Sequence, residues 1–181
     1  MFNFVLTDEE IDRKADSDFG KFFPVTEADI DRIEKKFKIT FPEILREYYL
    51  KHNAKFINGV TIQEPDGDEA YIHDIFPLIG TPLNKYGLKN EYSVECIKDN
   101  EMNEPDELGH LRIRNNFVPL AIDDGCNTYY WDSNDGKVYI SYNADEDEDG
   151  LETPYFVCSS VEEMFRLMDE AYEKEIKGEP N

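Results

Sequence analysis

The sequence predicts an α+β fold: one domain spanning 1–181, with a mainly antiparallel sheet flanked by an N-terminal helix pair and a C-terminal helix. Three stretches carry that prediction. Residues 117–142, FVPLAIDDGCNTYYWDSNDGKVYISY, read as three short strands joined by two tight turns. Residues 26–52 hold two apolar stripes at helical spacing, and residues 160–172 hold a third. A chain of 181 residues with 40% hydrophobic and 13% aromatic content is long and apolar enough to bury a core without staples.

Taken in order, Phe2, Phe4 and Leu6 alternate as a short edge strand does, and Thr7 is placed to cap a helical turn through DEEIDRK. Thr26 and Asp29 form a near capping box. Ile30, Ile33 and Phe37 follow at i, i+3 and i+7. Pro42 suits the first turn of a second helix, with Ile44, Leu45, Tyr48 and Tyr49 as its buried face. Phe56–Gln63 reads as a strand, and the acidic stretch 64–69 as a turn. Ala70–Ile79 reads as a further strand as far as Pro77, which lacks the N–H a ladder needs. Asp99–Gly109 (DNEMNEPDELG) carries five acids and no base, and reads as a solvated acidic loop.

The meander follows. Phe117–Ile122 is an apolar run broken at Asp123-Asp124-Gly125. Asn127–Asp132 carries Tyr129, Tyr130 and Trp131, whose bulk suits a pleated surface. Ser133-Asn134-Asp135-Gly136 supplies side chains that bond back to their own backbone, plus a glycine suited to positive φ. Lys137–Tyr142 returns with Val138 and Ile140 on one face. Asp145–Asp149 is an unbroken acidic run expected on a surface loop. Ser160 caps the last helix, whose apolar face is Val161, Met164, Phe165, Met168 and Tyr172.

Two of these stretches together resemble the SUKH superfamily. One is apolar-Pro-apolar, Asp-Asp-Gly-Cys-Asn, an aromatic strand, then Gly-Lys-Val-Tyr over 117–142. The other is helix, short linker, Phe41-Pro42, helix, His52-Asn53. The resemblance covers roughly residues 24–172 and leaves 1–23 as an extra N-terminal segment. Two departures stand out: Phe-Pro replaces the usual Leu-Pro, and Asn53-Ala54 replaces the usual Asn-Gly-Gly. The superfamily takes in fungal cell-wall assembly regulators and many bacterial immunity proteins of polymorphic toxin systems. Membership implies an α+β domain that works by binding protein.

Charge points the same way by a separate route. The formal net charge is −22, unevenly placed. Residues 1–55 carry 10 basic and 12 acidic side chains, whereas residues 56–165 carry 6 and 24. No Lys or Arg occurs in 56–84, 115–136 or 138–165. Such a surface argues against nucleic acid or an anionic membrane and favours a basic protein. The N-terminus lacks a signal-peptide pattern and no window suits a bilayer span. Three widely spaced cysteines, Cys96, Cys126 and Cys158, suggest neither a disulfide framework nor a metal knuckle, and fit a reducing cytoplasm.

The residues offer no catalytic constellation, cofactor loop or metal site. Asp132-Ser133-Asn134-Asp135-Gly136 begins like a calcium loop, but Gly falls at its position 5 and Asn143 at position 12, where an EF-hand needs Gly at 6 and Glu at 12. His52, His73 and His110 lie far apart without ligand spacing, and nothing local pairs any of them with Cys126. Asp123 and Asp124 admit three readings: acid–base chemistry, a turn-forming Asx bond, or acceptance of a partner's Arg or Lys. The expected function is therefore neutralisation of a cognate, basic bacterial toxin such as a nuclease. A regulatory scaffold of the cell-wall assembly type is the alternative. The expected partner-binding residues are Asp123, Asp124, Asp132, Tyr130, Glu64, Asp66, Asp68 and Glu69, on a monomer or weak homodimer.

Overall fold

The computed structural model describes residues 2–14, 23–63, 67, 69–79, 93–103, 115–146 and 152–178. It has the predicted α+β architecture. Three helices come first: α1 (Asp8–Lys14), α2 (Glu27–Phe37) and α3 (Glu43–His52). Thr26 closes the foreseen capping box with Asp29, its hydroxyl accepting from the Asp29 N–H while the Asp29 carboxylate accepts from the Thr26 N–H at 2.9 Å. Lys38 ends α2 in the left-handed region at φ 57°. The faces that go inward are Ile30, Ile33 and Phe37 on α2, and Leu45, Tyr48 and Tyr49 on α3.

The strands form two sheets. The smaller is an antiparallel hairpin of β1 (Val60–Gln63) and β2 (Glu69–Ile72). The larger is wholly antiparallel, in the order β3 (Asp74–Ile75), β4 (Phe117–Ile122), β5 (Thr128–Asp132), β6 (Val138–Glu146) and β7 (Glu152–Cys158). The expected meander is thus β4-β5-β6. The single strand expected over Ala70–Ile79 is corrected to two. At His73 the chain leaves the hairpin, its N–H donating to the Ile122 carbonyl at 2.8 Å, and the next two residues join the larger sheet. Likewise the strand expected from Phe56 begins only at Val60, with Ile57 held by a lone bridge to Val5.

That bridge changes the status of the N-terminal segment. Leu6 donates to Phe56 and Asn58 donates to Phe4, so residues 2–6 clip onto the 56–58 backbone instead of forming a strand of their own. Phe4 is fully buried, and Phe2 meets Tyr48 and Phe165 edge-on at 5.5 Å. These residues are structural parts of the core.

Another correction concerns the acidic loop. Residues 99–103 belong to a helix, α4 (Val94–Asn103), while 104–109 lie outside the described residues. The helix is anchored by Lys98, which is fully buried and donates to the carbonyls of Asn115 at 2.9 Å and Phe117 at 2.6 Å. A lysine without apolar periodicity around it gave no sign that its segment was helical.

The last helix, α5 (Val161–Lys177), is capped as predicted by Ser160, whose hydroxyl accepts from the Glu163 N–H at 3.1 Å. It packs on β1 and buries Val161, Met164, Phe165 and Met168, with Tyr172 partly covered. Because successive strand residues face opposite ways, Tyr129 and Trp131 enter this main core. Trp131 lies 6.0 Å from Phe41 at the entry to α3. Tyr130 goes to the other face, stacked with Phe117 at 5.8 Å.

Candidate protein-binding surface

The β4–β5 turn puts Asp123 and Asp124 side by side but gives them different work. Asp123 Oδ1 accepts from the Asn127 backbone N–H at 2.8 Å, and Oδ2 from the Asn127 side-chain amide at 2.7 Å. This is the Asx arrangement that lets a short polar side chain stand in for a backbone bond. A Cβ on Gly125 would stand 3.0 Å from that amide and 3.3 Å from Asp123 Oδ1, so a larger residue there would have to push this bonded pair aside. Cys126 takes the left-handed conformation at φ 63° and is exposed. Asp124 is exposed as well, and its Oδ1 meets His73 Nδ1 at 2.7 Å. The pairing brings the end of the hairpin sheet onto this turn.

Asp132 lies at the opposite end of β5, so the strand's length, roughly 17 Å, separates it from Asp123 and Asp124. Its Oδ1 accepts from the Asn134 N–H at 2.8 Å. In the same turn Asp135 accepts from the Lys137 N–H and the Tyr139 hydroxyl, each at 2.9 Å, and Gly136 takes φ 81°. Burial pulls the Asp135 carboxyl upward, but the bonds from Lys137 and Tyr139 outweigh it and leave the group below the ordinary carboxylate range.

The candidate residues therefore fall in separate places. Asp123 and Asp124 share one turn, Asp132 sits at the other end of the sheet, and Glu69 lies exposed at the start of β2, beside Glu170 and Lys174 of α5. Glu64, Asp66 and Asp68 lie outside the described residues. Tyr130 is corrected from a presented side chain to a buried one, 2% exposed between Phe117 and Tyr139. The run Asp145–Asp149 is corrected in part: Asp145 and Glu146 continue β6, with Glu146 opposite Glu152 of β7, and 147–149 lie outside the described residues.

Sequence reasoning missed the exposed aromatics that flank this acidic hairpin. Tyr142, Tyr155 and Phe156 are 38%, 44% and 41% exposed. The signal was present, since Tyr155 and Phe156 are consecutive in a strand and cannot both enter one core.

One carboxylate stands apart. Asp74, partly exposed at the start of β3, accepts its neighbour Ile75's N–H at 2.9 Å, and burial pushes it up to about 7. The fully buried Tyr48 hydroxyl is pushed up by its own burial and then by this carboxylate. His52 goes the other way, lowered first by burial and then by Lys55 and Lys51. Among the described residues, no three His, Cys, Asp or Glu side chains gather as a metal site would require. None of the described helices is long and apolar enough to cross a membrane.

Comparison with known proteins adds one firm result. Methylaspartate ammonia-lyase of Clostridium tetanomorphum is 28% identical over 109 residues, 54% of this chain and 25% of the enzyme. The chain spans about a quarter of that relative's length, and the lyase activity is that protein's own. No solved structure matches. The SMI1/KNR4 family (SUKH-1), by contrast, matches residues 24–167, which run from just before α2 into α5 and take in every strand. The chain belongs to the SMI1/KNR4 (SUKH-1) family.

Proposed function

We propose that this protein is an immunity protein that binds and neutralises a cognate bacterial toxin, a basic one such as a nuclease, in the cytoplasm. No reaction is assigned to it. The observation that carries the reading is the partition of charge between the two halves of the fold. Residues 56–165 carry 24 acids against 6 bases, whereas the N-terminal helices are nearly balanced. A strong field of one sign steers an oppositely charged partner and raises its association rate by roughly 10–10³-fold. Carboxylates of that part of the chain would meet a nuclease's phosphate-binding groove in the place of phosphates.

Binding kinetics test it. The immobilised chain is used to retain proteins from a lysate of the source cells, and each retained protein is purified and assayed for toxicity. One basic toxin, suppressed by the chain and associating more slowly as salt rises, is the expected result. Retention of several signalling proteins and no toxin would replace this reading with a regulatory scaffold. Association that ignores salt would remove the electrostatic argument.

A further inference from the structure

Independently of the toxin reading, we infer that the cavity between α3, α5 and the N-terminal segment is a docking site, and that it receives a basic, amphipathic helix of a protein partner laid along α5. The cavity measures about 390 Å³. Its floor is apolar: Phe2 and Ile44 are half-buried, and Phe165 is buried. The Phe2 ring is held edge-on by Tyr48 and Phe165 at 5.5 Å and by His52 at 5.1 Å. The floor is therefore formed before anything binds.

The rim is acidic. Glu162, Asp169, Glu170 and Glu173 line it against one cation, Arg166. Arg166 is already engaged, by Glu170 at 2.6 Å and Glu163 at 3.8 Å. Asn3 holds two of the acids in place, its main-chain N–H donating to Asp169 and its side-chain amide to Glu173 at 3.2 Å. An apolar floor under a rim of carboxylates complements a segment that is apolar at its centre and basic on its flanks.

The same face of α5 continues beyond the cavity. With 3.6 residues per turn, Phe165, Asp169, Glu173 and Ile176 recur at i, i+4, i+8 and i+11 and share one side of the helix. Ile176 is 66% exposed, the most of any large hydrophobic among the described residues. At 1.5 Å per residue it stands roughly 16 Å along the axis from Phe165. A small molecule seated in the cavity would leave it bare, so an occupant that covers both is a chain segment. The N–H and C=O groups of α5 bond within the helix, so an added strand would find no ladder to join. A helix satisfies its own backbone and matches the spacing, with apolar residues along the face and Lys or Arg beside them to meet Glu162, Glu170 and Glu173. A second copy of this chain fits poorly, since its net charge is −22 and its own α5 carries six acids against three bases.

The probe is a capped helical peptide of about 18 residues, five turns, titrated into isotope-labelled protein while backbone amide shifts are followed. Two leucines stand eleven residues apart on one face, matching Phe165 and Ile176, with arginines beside them and alanine and glutamine elsewhere. A second peptide replaces arginine with glutamate, and a third keeps the composition but scatters the leucines around the helix. Shifts in 2–3, 44 and 162–177, loss of binding with the glutamate peptide and at least about 10-fold weaker binding of the scattered one are expected. Ile176→Ser should weaken the first peptide about 10-fold. Glu162→Gln and Glu173→Gln should each weaken it about 2–5-fold at low salt. All three side chains are exposed, so circular dichroism should not change. No binding of the first peptide, or equal binding of the glutamate peptide, would overturn the basic occupant. Equal binding of the scattered peptide would reduce the effect to non-specific attraction by a protein of charge −22 and overturn the site. Shifts confined to the sheet turns at 123–124 and 132–136 would also overturn it and leave the toxin reading standing. Unchanged affinity in Ile176→Ser would overturn a helix laid along α5.

Discussion

Arg46 and Asp123 belong to opposite halves of this molecule and satisfy their charges by opposite means. Arg46 reaches from α3 to three carboxylates on α2, meeting Glu27 at 2.5 Å, Asp31 at 2.9 Å and Glu34 at 2.8 Å. On the other side of α2, Arg32 pairs with Glu95 of α4, and Lys36 pairs with both Glu95 and Asp99. Arg32, with help from Lys36, holds Glu95 below its ordinary range despite partial burial. In the sheet half Asp123 and Asp132 bond instead to N–H groups of their own turns. Both solutions satisfy the oxygen atoms. Only cross-helix pairing also cancels the charge, because a backbone N–H is a dipole and leaves the carboxylate's formal charge in place. The net charges themselves come from the residue counts, 10 bases to 12 acids over 1–55 against 6 to 24 over 56–165; the pairing decides how far each carboxylate's field is cancelled nearby.

Substitutions at four positions would break or sharpen that contrast. The largest effect is expected at Asp74, an acid on the sheet side whose burial outweighs the Ile75 N–H and the neighbouring His73. Its folded-state value is raised from 3.8 to about 7. Its ionisation therefore costs stability progressively as pH rises from about 4 to about 7, and the loss is constant above that. The ceiling is ~4 kcal/mol, reduced in practice by partial exposure. Asp74→Asn should be more stable than the parent at pH 8 and indistinguishable at pH 4, as read by urea denaturation. A constant difference across pH would mean the carboxyl titrates normally.

Lys98→Met comes next. It removes the buried cation that joins α4 to the start of β4 and leaves two carbonyls without their donor. A loss of about 3 kcal/mol is expected, with α4 losing amide protection first. A loss under about 1 kcal/mol would show that apolar packing alone seats the helix.

Arg46→Ala should cost about 1–2 kcal/mol, more than one exposed pair because three carboxylates are released together. High salt should shrink that difference, and thermal melts at two ionic strengths would show it. A salt-independent loss would assign the effect to the packing of the arginine stem.

The smallest change is expected for Asp123→Ala, about 0.5–1 kcal/mol from the lost turn bonds. Asp123→Asn keeps an acceptor and should be close to neutral. If Asp123→Asn destabilised as much as Asp123→Ala, charge rather than hydrogen bonding would be the operative property, and the contrast between the halves would weaken.

Much of this architecture was legible because it depends on local rules. Thr26 and Ser160 were readable as caps, since a capping side chain bonds within three residues of itself. The 117–142 meander was readable because its turns and its alternation lie in one continuous stretch. The failures were long-range. Residues 99–103 looked like solvent loop, yet they are helical, and Asp99 pairs with Lys36 of α2, far away in sequence. Tyr130 looked like an interface anchor, and only the neighbouring strands supply the Phe117 and Tyr139 rings that bury it.

Sequence alone determined the α+β class, the helix caps, the meander and its turns, the net charge of −22 and its concentration after residue 55. Each of these follows from residue type and spacing over a few positions. Tertiary structure alone decided that Ala70–Ile79 divides between two sheets, that Asp124 meets His73, that Asp132 stands at the far end of the sheet from Asp123, and that Tyr142, Tyr155 and Phe156 lie exposed on neighbouring strands. These are facts about which distant segments become neighbours. Loop closure and burial settle that for the whole chain at once, so no local window contains the answer.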